Sequence, residues 1–300
     1  MKSLLRKLKR YLNLYPPVVD ETQLLALGRL LSNQQVLFHS SEINEYEFKI
    51  FSQFGDDGLI QYLVRNLEIA NKTFIEFGVE NYQESNTRFL LMNNNWSGFV
   101  LDGSPFKIQN LRSKPWFWKY DLRCEAAFIT KENIDRLMTS TGFKDLGILH
   151  IDIDGNDLHI LEEMDFTDLN PSLVIMEYNA IFGNSRPICT PYSENFVRTQ
   201  AHFSNTYYGA SLPALDIVAR KKGYILVACN EAGNNAYFVR KDLLNEKIKE
   251  KSLESAYREA KFRESRNELG QLSYLNQPER QAQIQDLEVF NVITRTLEKL

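Results

Sequence analysis

The densest run of groups able to do chemistry in this 300-residue chain is HIDIDGND, which places His150, Asp152, Asp154, Asn156 and Asp157 directly behind an apolar stretch. Residues two apart share a face of an extended strand, so His150 is placed to support Asp152. The next apolar run, PSLVIMEYN, ends in Glu177, Tyr178 and Asn179. Carboxylates and an amide oxygen make a hard donor set, which makes Asp152, Asp154, Glu177 and Asn179 candidate ligands for Mg²⁺ or Mn²⁺. A third group lies upstream in FIEFGVENYQESNTRFLL, where the chain must turn sharply behind Glu76 and Gly78. Ser85 is placed to cap the helix that follows. Asp102 and Gly103 close the run GFVLDG, Asp102 standing 26 residues after Glu76. A carboxylate at that point of a nucleotide-binding fold accepts hydrogen bonds from ribose hydroxyls.

These groups need strand ends to carry them. KTFIEFG, GFVLDG, LGILHIDID and PSLVIMEYN are short runs rich in Ile, Val, Leu and Phe, and they read as buried parallel strands. Helical periodicity fills the gaps at 87–95, 131–141 and 157–164. In such a sheet, ligands bind beyond the carboxyl ends of the strands where the strand order reverses, so Glu76 through Asn86, with Asn81 among them, should line a cleft. A further helix over 211–223 leads into two strand-like runs around Gly233 and Asn234, which predict a closing β-hairpin. The long connection IFGNSRPICTPYSENFVRTQAHFSNTYYGAS has the length of a lid or binding loop. Its Tyr192, Tyr207 and Tyr208 could stack on a sugar, with Tyr178 beside them, while Arg186 could grip an anion. His202 in the same loop and Asp154 are the side chains available as bases if no metal takes part.

The composition limits what these groups can serve. A formal net charge of −4 offers no general attraction to nucleic acid. Cys124, Cys189 and Cys229 form no CxxC pair, which fits a reducing cytoplasm. No run reaches the roughly 20 apolar residues of a membrane span. Residues 1–12 read as a basic amphipathic helix, either packed on the domain or touching an anionic membrane. The expected organisation is a helical N-terminal extension (1–47), a Rossmann-like doubly wound α/β domain (48–242) and a charged helical tail (243–300). That tail is also the segment available for self-association.

The segments FSQFGDDGLIQYLV, FIEFGVENYQESNTRFLL, GFVLDGS and LHIDIDGNDLHIL, in this order, resemble the FkbM-like branch of class I S-adenosylmethionine-dependent methyltransferases. A mostly parallel sheet closed by a hairpin is the form such enzymes take. The resemblance implies that Glu76 and Gly78 border the methionine part of the cofactor, that Asp102 binds its ribose, and that Gln53, Gly55 and Asp57 abut the pocket. It departs at Glu80 and Tyr82, where glycines are common. The acidic groups are similar to those of metal-dependent O-methyltransferases, except that Tyr178 separates Glu177 from Asn179. The function implied is O-methylation of a sugar or glycosylated acceptor in surface-polysaccharide or natural-product biosynthesis. The alternatives are a nucleotide-dependent oxidoreductase and a non-catalytic scaffold on the same fold.

Overall fold

A computed structural model describes residues 20–300 of the chain, so the basic segment 1–12 lies outside the described residues. The helices there are α1 (Glu21–Gln34), α2 (Asp56–Asn66), α3 (Arg88–Asn94), α4 (Pro105–Arg112), α5 (Ile134–Thr141), α6 (Asp157–Glu163), α7 (Arg198–Ala201), α8 (Leu212–Lys221), α9 (Leu253–Ala256) and α10 (Gln277–Ile284). The strands are β1 (Thr73–Phe77), β2 (Ser97–Asp102), β3 (Leu122–Ala126), β4 (Ile148–Ile151), β5 (Leu173–Glu177), β6 (Ile188–Cys189), β7 (Tyr224–Cys229), β8 (Asn235–Arg240), β9 (Glu288–Asn291) and β10 (Thr296–Lys299).

The apolar runs become strands because both of their faces are covered. Along β1, Ile75 and Phe77 enter one core and Phe74 the other, and the same split recurs in β2, β4 and β5. Helices α2, α3 and α4 supply Leu59, Leu63, Leu90 and Ile108 to the Phe74 side. On the opposite side α5, α6 and α8 supply Leu137, Leu161 and Leu215. The resulting seven-stranded sheet has the order β3-β2-β1-β4-β5-β8-β7. Strands β1 to β5 are mutually parallel, and β8 runs antiparallel to both β5 and β7. The chain winds outward from β1 through β2 to β3, then returns to β4 and winds the other way. The strand order therefore reverses between β1 and β4, and a cleft opens beyond their carboxyl ends.

The expected doubly wound sheet and its hairpin are both present. Asn230 builds the hairpin turn, its side-chain oxygen accepting from the backbone N–H of Gly233, Asn234 and Asn235 at 3.1 Å each. No apolar run announces β3, because only Leu122 and Cys124 of LRCEA are buried, as befits an edge strand. The three cysteines are free and buried, and no helix among the described residues is long and apolar enough to cross a membrane.

The tail differs from its expectation. Residues 243–300 hold only the short helices α9 and α10, followed by the β9–β10 hairpin, whose first strand pairs antiparallel with β6. The helix-like pattern fails because the segment's apolar residues are used singly against the domain. Ala256 and Val292 join one core, while Ile284 and Val289 pack on Ile181, Phe182 and Ile188. Its charges pair with the domain as well, Arg258 and Lys261 with Glu231 and Arg295 with Glu162. The Ile284→Ala variant should therefore lose about 2–5 kcal/mol of stability in urea unfolding, the usual cost of truncating a buried aliphatic side chain. A loss below about 0.5 kcal/mol, typical of a surface site, would show that the tail is not docked.

Candidate functional site

The cleft is organised by a buried carboxylate. Glu76, 2% exposed on β1, accepts from Ser85 Oγ at 2.6 Å, the Asn86 N–H at 2.9 Å, the Thr87 N–H at 3.1 Å and the Thr87 hydroxyl. His150 Nδ1 lies 3.0 Å from Glu76 Oε1, the oxygen that also accepts from Asn86, and His150 Nε2 faces the Asn86 amide at 3.3 Å. His150 thus supports Glu76 rather than Asp152. Ser85 also departs from its expected role, because α3 starts at Arg88 without a side-chain cap and the Ser85 hydroxyl is turned to Glu76. Burial opposes the charge on both members of the Glu76–His150 pair. The hydrogen bond and opposite charge outweigh it, holding Glu76 below its ordinary value and His150 above its own.

Immediately after β1, Gly78 has φ +72°, and a Cβ there would lie 1.6 Å from the Asp152 carbonyl oxygen. Only glycine lets the ends of β1 and β4 approach this closely. Glu80 and Tyr82 occupy positions where glycine would be at ease, and both take left-handed conformations, with φ 50° and 59°. Local bonds hold them there. The Glu80 N–H donates to Asp102 Oδ2 at 2.7 Å, Lys107 reaches Glu80 at 2.8 Å, and the Tyr82 hydroxyl bonds Thr87 Oγ1 at 2.7 Å.

Two adjoining cavities of about 150 and 260 Å³ share Gly78, Glu80, Asp152 and Asp154 as walls and form one cleft. The first is lined by Asp102, Gly103, Lys107, Phe128, Ile129 and Phe196. Asp102 accepts one backbone N–H on each oxygen, from Glu80 at 2.7 Å and Ser104 at 2.8 Å, so each oxygen keeps a lone pair for a ligand. The second is lined by Gln53, Glu76, Asn86, His150, Glu177, Arg198, Asn234 and Asn235. Of the residues singled out in the sequence, Gln53, Glu76, Gly78, Asn86, Asp102, Gly103, Asp152, Asp154 and Glu177 line this cleft.

The other candidates lie elsewhere. Asp57 is buried away from both cavities and ties down the 50–52 backbone, accepting from the N–H groups of Ile50, Phe51 and Ser52 at 2.6, 2.7 and 2.8 Å. Burial pushes its carboxyl up to about 6. Gly55 is backed by Glu47, and the Asn81 side chain accepts from the Gln83 N–H at 3.1 Å. Asn179 does not join the acids, because its amide nitrogen donates to the carbonyls of Thr206 and Tyr208 at 2.9 Å and its oxygen accepts from Ile181 at 3.0 Å. In the long loop, Arg186 pairs with Glu298 at 2.6 Å, Tyr192 with Glu132 at 3.0 Å, and Tyr207 with the Glu288 carbonyl. Tyr178 donates to the Arg258 carbonyl at 2.7 Å, and His202 bonds Ser204 at 2.7 Å. Tyr208 is buried beneath Arg198, whose guanidinium sits 3.8 Å from the ring centre.

Asp152, Asp154 and Glu177 do converge, with one oxygen of each within 4.8 Å of the others. Burial and then the charge of Asp154 push Asp152 up to about 8. Burial and the charges of Asp152 and Asp154 raise Glu177 well above the ordinary carboxylate range. The Oε2 atom of Glu177 is buried without a hydrogen-bond partner. Arg198, which the sequence reading did not single out, bonds Asp154 at 2.7 Å and approaches Glu264 at 3.5 Å. Arg186 and Arg198 are equivalent by composition, and only the path of the loop brings Arg198 to the cleft.

No protein-family model matches the chain, and no curated protein matches it. Solved structures similar to it include the N-terminal domain of EvdMO1 with SAH bound, at 9% identity, covering 63% of this chain and 80% of that one, with a TM-score of 0.41. The CurJ carbon methyltransferase shares 12% identity over 66% of this chain and 57% of its own, with a TM-score of 0.42. An O-methyltransferase from Bacillus cereus in complex with SAH shares 10% identity over 74% and 93%, with a TM-score of 0.39. Likeness at this level decides nothing about this chain, whose fold rests on its own strand order.

Replacing Glu76 with Gln should destabilise the protein by about 3–5 kcal/mol in urea unfolding, because it removes the charged partner of a buried pair. A cost under about 1 kcal/mol would mean that the carboxylate is not the hub of the 85–87 turn. The pair also has a pH signature. The Glu76 contribution is present above 4.5 and fades as pH falls through its lower folded value, whereas the His150 contribution is present below 6.5 and fades as pH rises through its higher one. The stability gap between the wild type and His150→Gln should therefore be widest between pH 4.5 and 6.5 and narrower at about pH 9. A gap that widens toward pH 9 would contradict a charged imidazole.

Proposed function

We propose that this chain is an S-adenosylmethionine-dependent methyltransferase acting on a hydroxyl of a sugar or glycosylated acceptor. The observation that carries the reading is the antiparallel β8 inserted between β5 and β7 of an otherwise parallel sheet, with Asp102 facing the cleft at the end of β2. A dinucleotide-binding oxidoreductase would also use an acid at that place, but it typically lacks the β7–β8 hairpin and carries a fuller glycine fingerprint than Gly78 with Glu80 and Tyr82.

The cradle suits the cofactor. Gly78 lets the backbone come close, Asp102 keeps a free lone pair on each oxygen for the ribose hydroxyls, and Phe128 and Ile129 offer apolar faces to the base. S-adenosylmethionine supplies the methyl group and leaves as the neutral thioether. On this chain's side, Asp152 stands at the junction of the two cavities with a proton affinity near neutrality, which fits it to take the acceptor's hydroxyl proton. Glu177 and Asp154 flank it, and Arg198 balances part of their charge.

The carboxylates also fit a divalent ion, since Glu177 Oε2 has no partner and the donors are all oxygen. Asp152, Asp154 and Glu177 would hold Mg²⁺ or Mn²⁺, which would ease ionisation of the hydroxyl.

Calorimetry with S-adenosylmethionine and with NAD tests the reading. The expected result is binding of the first, weakened by about 1–3 kcal/mol in Asp102→Ala, the scale for losing bonds to a charged group. Binding of NAD instead, or unchanged affinity in a folded Asp102→Ala variant, would overturn it. With an acceptor found by screening, EDTA should abolish turnover and Mg²⁺ should restore it. Full turnover in EDTA would leave Asp152 acting without a metal.

A further inference from the structure

Asn235 is buried at 3% exposure and lines the second cavity, and its Oδ1 atom has no hydrogen-bond partner. The orientation of the amide follows from its other end. Asn235 Nδ2 donates to Asp56 at 2.9 Å, and the same buried carboxylate accepts from Asn230 at 3.0 Å and from the Tyr237 hydroxyl at 2.5 Å. A carboxylate surrounded by donors accepts only, so the amide nitrogen faces Asp56 and the oxygen points away from it.

In the sheet, Asn235 stands beside Glu177. Residues Glu177 and Asn235 are direct partners across the antiparallel β5–β8 pair. Directly opposed residues carry their side chains on the same face of the sheet. Both line the same cavity, and each has a buried side-chain oxygen without a donor. Asp152 and Asp154 complete the acidic group. Arg198, which Glu264 also approaches, is the guanidinium in contact with this group, so three carboxylates ionised together there call for further positive charge.

We propose that Asn235, and not Asn179, supplies the amide oxygen of a divalent-cation site whose carboxylates are Asp152, Asp154 and Glu177. This deepens the metal part of the function proposed above and stands apart from the cofactor part. A hard cation takes such a set of carboxylate and amide oxygens, with water and acceptor oxygens filling its remaining positions. Asn179 lines neither cavity, its amide being tied to the carbonyls of Thr206 and Tyr208 and to the Ile181 N–H.

The test is a titration of the full chain with MnCl₂, following free Mn²⁺ by electron paramagnetic resonance. The wild type should bind one ion. Asn235→Ala should weaken binding by ~10-fold or more, the scale for disturbing a metal site. Tyr237→Phe, which also takes a donor from Asp56 but leaves the amide oxygen in place, should stay within about twofold of wild type, well short of that scale. If Asn235→Ala does not fold by circular dichroism, Asn235→Ser replaces it, keeping a donor for Asp56 without the amide's reach. Absence of Mn²⁺ binding by the wild type, unchanged binding in the folded Asn235 variant, or equal weakening in Tyr237→Phe would each overturn the proposal. Calorimetry with S-adenosylmethionine in EDTA separates the two readings, since cofactor binding there survives failure of the metal site.

Discussion

Everything at the cleft depends on the burial of one negative charge on β1. A carboxylate out of water is tolerable only when donors surround it, and Glu76 collects them from two places: the 85–87 turn, Thr87 hydroxyl included, and His150 on β4. Those bonds fold the segment after β1 back over the strand end. They also fix the start of α3, while the Asn86 side chain meets His150. The residue that looks like a cofactor contact in sequence is therefore first the support on which the other contacts stand.

The same region concentrates backbone strain. Left-handed conformations at Glu80 and Tyr82 each cost of the order of 1–3 kcal/mol where glycine would cost almost nothing. The structure offsets them with bonds to Asp102, Lys107 and Thr87, so the acid at the end of β2 holds this turn while facing the cleft. The shape of the first cavity and the position of its acid are consequently one feature.

On the other side of Gly78 the cleft is dominated by charge. Burial and neighbouring carboxylate charge raise the proton affinity of Asp152 and Glu177, and Arg198, stacked on Tyr208, is the counter-charge in direct contact with Asp154. The tail stands behind this arrangement. Its β9 strand pairs with β6, and Glu264 approaches Arg198, so a segment far along the chain helps shape the loop that carries the guanidinium.

The sequence by itself determined the elements whose signal is local. Apolar runs covered on both faces announced β1, β2, β4 and β5, helical periodicity announced α3, α5, α6 and α8, and the order of these elements placed Asp102, Asp152 and Glu177 at one cleft. Edge strand β3 escaped because half of its side chains face solvent, and the tail was misread because its partners lie about a hundred residues away in β6. Tertiary structure alone decided which of several identical side chains reach the cleft: Arg198 and not Arg186, Asn235 and not Asn179, with Asp57 turned inward to hold a backbone loop. The physical reason is that residue type states what a side chain can bond, whereas the bonds it makes depend on which unsatisfied donors and acceptors the fold carries to within 3 Å of it.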